Sequence, residues 1–148
     1  MVHWSRPRGA PADPCNGCRS CELRCIAGIQ MTRSEFDRIV NHLRSAPEES
    51  GRVLDQDKEV IWFEDATVEA CLFRDMSQGG CLVYPVRPLI CRLFGRVEWL
   101  PCPLGKKVEQ LSDGVRLIQA YANEERHTFP EWLEQIGLLD FRLLLAPE

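Results

Sequence analysis

A chain of 148 residues, 45% apolar and 27% charged, is long enough for one domain with a modest core. Its formal net charge of −4 argues against a surface built to cover phosphates, so nucleic acid is not an expected partner. No apolar run approaches the roughly 20 residues of a membrane span, so no membrane partner is expected either.

Residues 1–14 read as an irregular N-terminal arm. They are polar, hold Pro7, Pro11 and Pro14, and carry no apolar segment of the secretory kind. The expected compartment is the cytoplasm, where thiols stay reduced. The arm leads into Cys15-Asn-Gly-Cys18-Arg-Ser-Cys21-Glu-Leu-Arg-Cys25. Gly17 permits a sharp turn there, and the spacing of Cys21 and Cys25 fits the start of a helical turn.

Thr32-Arg-Ser-Glu35 has the form of a capping box, with Phe36, Ile39, Val40 and Leu43 following as one helical stripe. Pro47 is expected to stop this helix. Val53-Leu54 and Val60 to Phe63, flanking the polar stretch from Asp55 to Glu59, predict a hairpin. Thr67 to Phe73 predicts a further strand that ends at the turn signal Ser77-Gln78-Gly79-Gly80. Cys81 to Tyr84 is a short strand candidate, and Pro85 and Pro88 then stiffen a bent segment. Leu89 to Phe94 suits a helical turn, and Pro101 and Pro103 hold Cys102 in an extended loop.

Val108, Leu111, Val115, Ile118 and Tyr121 recur at helical spacing, interrupted by Gly114. Thr128-Phe-Pro-Glu131 is a second capping box, followed by the inward set Trp132, Leu133 and Ile136 and a closing Gly137. The fold class is α+β: a small irregular single domain with helices around a short hairpin or sheet, stapled by cysteine-ligated metal. Residues 15–105 form the metal-binding domain, and residues 106–148 a helical extension packed on it.

The chemistry lies in eight cysteines: Cys15, Cys18, Cys21, Cys25, Cys71, Cys81, Cys91 and Cys102. In a reducing compartment they read as metal ligands rather than as a disulfide framework. The first three form two overlapping Cys-x-x-Cys turns, and the fourth follows after three residues, which is the spacing of the bacterial ferredoxin run. Ile26 stands where that run has proline, and there is no second copy. Cys71, Cys81, Cys91 and Cys102 are too widely spaced to form a site locally, so the fold must gather them. The donor set predicts an iron–sulfur cluster of the 4Fe-4S kind, with zinc as the alternative. A tetrathiolate centre is anionic. Only Lys58, Lys106 and Lys107 of 18 cationic residues are lysine, and Arg19, Arg24, Arg74, Arg92 and Arg96 lie close to cysteines. Guanidinium groups there can offset charge or donate to sulfur. His3, His42 and His127 show no ligand spacing.

The run Cys15-x2-Cys18-x2-Cys21, the segment from Gly80 to Phe94 and the pair Cys102-Pro103 together resemble the CxxCxxCC family, which includes YkgJ-like proteins and is described as zinc- or iron-chelating. The family has eight motif cysteines with counterparts here, although its third and fourth are usually adjacent, whereas Glu22, Leu23 and Arg24 separate Cys21 from Cys25. The resemblance implies metal chelation. Through relatives associated with flagellin lysine N-methylation, it also implies an enzyme using S-adenosylmethionine on a protein substrate. No Gly-rich nucleotide turn supports that second implication.

Three functions follow: a metal or cluster protein in a redox or accessory role; an enzyme, which needs an open coordination position; or a structural zinc module offering Trp4, Trp62, Trp99 or Trp132 to a protein partner. No acid/base pair marks a catalytic residue. Structural metal ions supply roughly 10 kcal/mol or more of folding free energy in small domains. Anaerobic chelation is therefore expected to abolish cooperative thermal unfolding, and a chelated protein that still melts cooperatively would refute a stapling role.

Overall fold

A computed structural model describes residues 25–63, 66–102, 105 and 109–146. It is an α+β domain whose described residues form six helices and two small antiparallel sheets. In chain order these are β1 (Gln30–Thr32), α1 (Arg33–Ser45), α2 (Pro47–Leu54), β2 (Val60–Phe63), β3 (Ala66–Glu69), α3 (Leu89–Arg92), α4 (Gly114–Ala122), β4 (Arg126–Thr128), α5 (Phe129–Gln135) and α6 (Phe141–Leu145). A 3-10 turn, Tyr84–Val86, precedes α3.

Both capping boxes form. The Thr32 side chain accepts from the Glu35 N–H and the Glu35 carboxylate accepts from the Thr32 N–H, and Thr128 and Glu131 repeat the arrangement at α5. The apolar stripe of α1 is buried as its spacing predicts. Pro47 does not simply stop α1. The helix ends at Ser45, and Pro47 begins α2, where its fixed φ and missing N–H suit the first turn. Val53 and Leu54 consequently close α2 as buried residues and are not half of a hairpin. The hairpin is β2 with β3, in the register Val60↔Glu69 to Phe63↔Ala66.

The segment Cys81 to Tyr84 is also not a strand. It makes one isolated bridge, Arg74↔Cys81, and then turns, because Pro85 removes a ladder donor. The expected helix is seen from Gly114, where a Cβ would sit 2.5 Å from Val97 Cγ1, and its expected first position, Val108, lies outside the described residues. Gly137, at φ 81°, closes the turn after α5. One pairing carries no periodic signal: β1 pairs with β4, placing Thr32 opposite Arg126. Both are strands of three residues, each leading into a capped helix.

Two apolar clusters result. The larger packs Met31, Phe36, Ile39, Val40 and Leu43 against Phe73, Val83, Phe129, Trp132, Leu133 and Leu144. Phe129 packs against both Phe36 and Phe73, and the Trp132 indole N–H donates to the Met31 carbonyl at 2.8 Å. The smaller joins Leu89, Leu93, Val97 and Tyr121.

Glu35 links the two. Its buried carboxylate accepts from the Thr32 N–H (2.9 Å), the Thr32 hydroxyl (3.2 Å), the Tyr121 hydroxyl (2.5 Å) and the Leu89 N–H (2.6 Å). A buried carboxylate is tolerated when its oxygens are saturated in this way. Replacing Glu35 with Gln puts an amide N–H₂ against N–H and O–H donors. The expected loss is about 2–3 kcal/mol in urea unfolding, from the desolvation penalty of unpaired buried groups. An unchanged unfolding midpoint would remove Glu35 from this role.

Candidate metal centre

Three extended segments build one side of the site. The Cys71 N–H donates to the Cys25 carbonyl at 3.2 Å, and Ile26 bridges to Ala70, so Cys25 and Cys71 lie on neighbouring chains. Cys81 is brought alongside by the turn at residues 75–80. There Asp75 N–H donates to the Gly80 carbonyl (3.1 Å), Gly79 N–H donates to the Asp75 carbonyl (2.9 Å), and Arg74 bridges to Cys81. Gly79 and Gly80, at φ 76° and 86°, supply the left-handed backbone this tight turn needs.

The Asp75 side chain holds the turn. Its carboxylate accepts from the Ser77 and Gln78 N–H groups, from Arg52 of α2 at 2.8 Å and from Gln56 at 3.1 Å. The Arg52 guanidinium, with Gln56 and the turn N–H groups, holds the Asp75 carboxyl well below the usual carboxylate range.

Cys91 enters from α3 as the fourth thiol. Its segment is braced by Arg87, which donates to the Tyr84 carbonyl (3.0 Å) and to the Cys91 carbonyl (3.4 Å) while lying 3.9 Å from the Tyr84 ring centroid. Burial pushes the Cys91 thiol well above its ordinary pKa, and the nearby Cys71, Cys25 and Cys81 sulfurs push it further, against Arg87. Four cysteines from four separate segments therefore share one electrostatic neighbourhood.

The Cys71 thiol is raised by burial, but three neighbours oppose that. The Phe73 and Arg74 backbone N–H groups, near its sulfur, and Lys58 favour the thiolate, and the Arg74 N–H donates to the Cys71 carbonyl at 3.0 Å. N–H groups near sulfur are a means by which a loop favours a thiolate over a thiol. Lys58 is itself fixed, donating to the Val53 carbonyl (2.7 Å) and the Arg74 carbonyl (2.8 Å). A mostly apolar cleft of about 320 Å³ opens beside Cys71, between Ile29, Phe73 and Phe129.

Among the described residues, no group of three or more His, Cys, Asp or Glu side chains is set to hold a metal ion. Cys15, Cys18 and Cys21, with Arg19, Arg24, His3 and Trp4, lie outside the described residues. Cys25 is not in a helix, and Cys102 is partly exposed outside any regular element. His42 contacts the Leu82 carbonyl oxygen (3.0 Å) and His127 the Glu125 carboxylate (3.0 Å). Trp132 is buried in the larger cluster, so it is not displayed to a partner, whereas Trp99 is 46% exposed. Arg96 is buried rather than on the surface.

Lys58, Asp75, Arg52 and Glu35 are the residues that sequence reasoning did not assign to this region. The one available signal was Asp75-x-Ser77 before Gly79-Gly80, an Asx-turn composition. Among the described residues, no helix is long and apolar enough to cross a membrane.

A family model, CxxCxxCC, described as "Putative zinc- or iron-chelating domain", matches residues 14–130. The match covers most of the chain, which therefore belongs to this family of cysteine-rich zinc- or iron-chelating domains. No curated protein and no solved structure matches it.

Asp75 makes the site's geometry sensitive to acid. Its depressed carboxyl contributes stability that is present above the unfolded-state value of roughly 3.9 and is lost as pH falls below it. Asp75→Asn is expected to lower unfolding stability at pH 7 by on the order of 1–3 kcal/mol. It should also flatten the loss of stability between about pH 5 and pH 3. Urea titrations across that range check both, and parallel wild-type and variant curves would contradict them.

Proposed function

We propose that this member of the CxxCxxCC family is a metalloprotein whose first centre is a four-sulfur site of Cys25, Cys71, Cys81 and Cys91, holding an iron–sulfur cluster of the 4Fe-4S kind. The supporting observation is that the Cys91 thiol senses the Cys71, Cys25 and Cys81 sulfurs, although these residues are spread over three separate segments of sequence. Four thiolates with no histidine or carboxylate among them are a soft donor set, suited to iron–sulfur or zinc and ill suited to magnesium or calcium.

The chain's own groups fit that cargo. The Phe73 and Arg74 N–H groups lie near the Cys71 sulfur and favour its thiolate, and Lys58, Arg74 and Arg87 supply positive charge beside an anionic centre. The remaining cysteines, Cys15, Cys18, Cys21 and Cys102, are four further thiols of the same soft type. A bound cluster would supply one-electron transfer, at a potential set by the N–H groups near sulfur and by burial. The role is redox or accessory, in a reducing, cytoplasmic setting, with a protein as partner. No pair of groups in the described region forms a persuasive general acid and base, and a methylase reading draws no support from the geometry.

The decisive measurement is composition. Protein purified without oxygen is expected to be brown, with about four iron and four acid-labile sulfide per filled site. Cys71→Ser and Cys91→Ser are expected to lose the colour and iron of this centre together, while Asp75→Asn keeps a reduced share. A colourless protein holding zinc without sulfide would overturn the cluster in favour of structural chelation.

A further inference from the structure

The ladder that carries Cys25 does more than bring it near the other sulfurs. Ile26 bridges antiparallel to Ala70, the Ala27 N–H donates to the Glu69 carbonyl at 2.8 Å, and the Cys71 N–H donates to the Cys25 carbonyl at 3.2 Å. These three pairings share one register, and that register sets Cys25 directly opposite Cys71 as a hydrogen-bonded pair. Side chains of directly opposed residues project from the same face of a ladder. The strand of Cys71 is also held from its other side, where the Ala70 N–H donates to the Glu59 carbonyl at 2.8 Å. The Cys91 thiol senses both sulfurs.

Such a pair is close to the geometry of a disulfide. Opposed residues of a hydrogen-bonded antiparallel pair have Cα atoms about 5.5 Å apart, and disulfides span Cα separations of about 4.4–6.8 Å. The fit is not complete. Opposed Cβ atoms stand about 4.5–5.5 Å apart, whereas a relaxed disulfide holds them at about 3.8 Å. Closure therefore draws the two chains together against their hydrogen bonds, and a bond closed under such strain is the more easily reduced. Among the described cysteines no other pair is opposed in a ladder: Cys81 stands opposite Arg74, Cys91 lies in α3 and Cys102 is outside any regular element. The cleft of about 320 Å³ is lined by Cys71 and also by Lys58, so a small anionic disulfide has an approach to this residue.

We propose that Cys25 and Cys71 form a redox-active dithiol, closed to a reversible cross-strand disulfide by a low-molecular-weight disulfide such as oxidised glutathione. The Cys71 thiolate attacks one sulfur of the reagent and expels one glutathione thiolate. The Cys25 thiolate then attacks the Cys71 sulfur of the mixed disulfide and expels the second. Two cysteine thiols give up two protons and two electrons, the S–S bond of the reagent is reduced, and two glutathione thiols leave. A disulfide sulfur is no longer a thiolate ligand. The consequence for metal rests on the four-sulfur reading: closure withdraws two of its four ligands, so oxidation releases the metal.

The test equilibrates the full-length protein as isolated with glutathione buffers of rising oxidised fraction. Remaining thiols are alkylated, bonds are mapped by peptide mass spectrometry, and metal passing a filter is quantified. The Cys25–Cys71 bond is expected to exceed any other pairing by roughly tenfold, because the ladder gives these two sulfurs a high effective concentration. It is expected to be lost when excess reduced glutathione is restored, and the same chain in urea is expected to scatter its bonds. Cys25→Ser is expected to leave Cys71 trapped as its mixed disulfide with glutathione. If Cys25→Ser fails to fold, the wild-type map against the urea control carries the measurement. Cys71 bonded chiefly to another cysteine, a native map no different from that in urea, or a native chain that forms no bond where the urea-unfolded chain does, would overturn the dithiol. Metal released in step with the Cys25–Cys71 bond supports the proposal in full. The bond without release of metal would leave the dithiol standing and overturn the four-sulfur centre.

Discussion

The Glu35 carboxylate is the constraint on which the rest of the domain depends. It is a buried charge, and a buried charge is stable only if its lone pairs are filled. The donors that fill them come from three places: the start of α1 itself, the first residue of α3 and the tyrosine of α4. Two apolar clusters of modest size are thereby tied through one side chain. The consequence reaches the cysteines. Cys91 lies two residues beyond Leu89, so the bond that orients α3 also delivers the Cys91 thiol to the other three. A core residue far from sulfur in sequence thus helps determine where sulfur sits.

The thiol neighbourhood is costly without a cation. Burial opposes ionisation at Cys71 and Cys91, and each thiolate at this site opposes the next. The chain offers partial relief at Cys71, through two N–H donors and Lys58, and at Cys91, through Arg87. On the proposed reading, a soft cation displaces the thiol protons, and its attraction to each sulfur outweighs the repulsion between the sulfurs. Membership of a zinc- or iron-chelating family and this electrostatic arrangement point the same way from independent grounds.

Local signals were legible where a single turn or helix decided the outcome. The Thr32–Glu35 and Thr128–Glu131 boxes, the buried stripe of α1 and the closing Gly137 could all be read from residue order. Pro47 misled because a proline can end one helix or begin another, and only the chain's route after Ala46 decides. Val53 and Leu54 misled because two apolar residues carry no period. The β1–β4 pairing was invisible because three-residue strands far apart in sequence have no alternation to detect. Glu35 was legible as a cap but not as a junction, since Leu89 and Tyr121 find it only in three dimensions. The cysteines were recognisable as ligand types, but sequence spacing said nothing about which of the later four approach Cys25.

The preference for arginine over lysine has a structural account in an irregular fold. Where chains do not run as long ladders, main-chain carbonyls lack backbone partners and side chains must supply the donors. Arg44 donates to the Leu144 carbonyl, joining α1 to α6, and Arg87 serves two carbonyls ahead of Cys91. Gln110 and Lys58 do the same at Gly95, Val53 and Arg74. A planar fork with five donors reaches several such oxygens at once, which an ammonium on a flexible stem does less well. Arg38 and Arg126 depart from this pattern. Their Nε–H groups are enclosed like the others, yet no carbonyl or carboxylate among the described residues receives them.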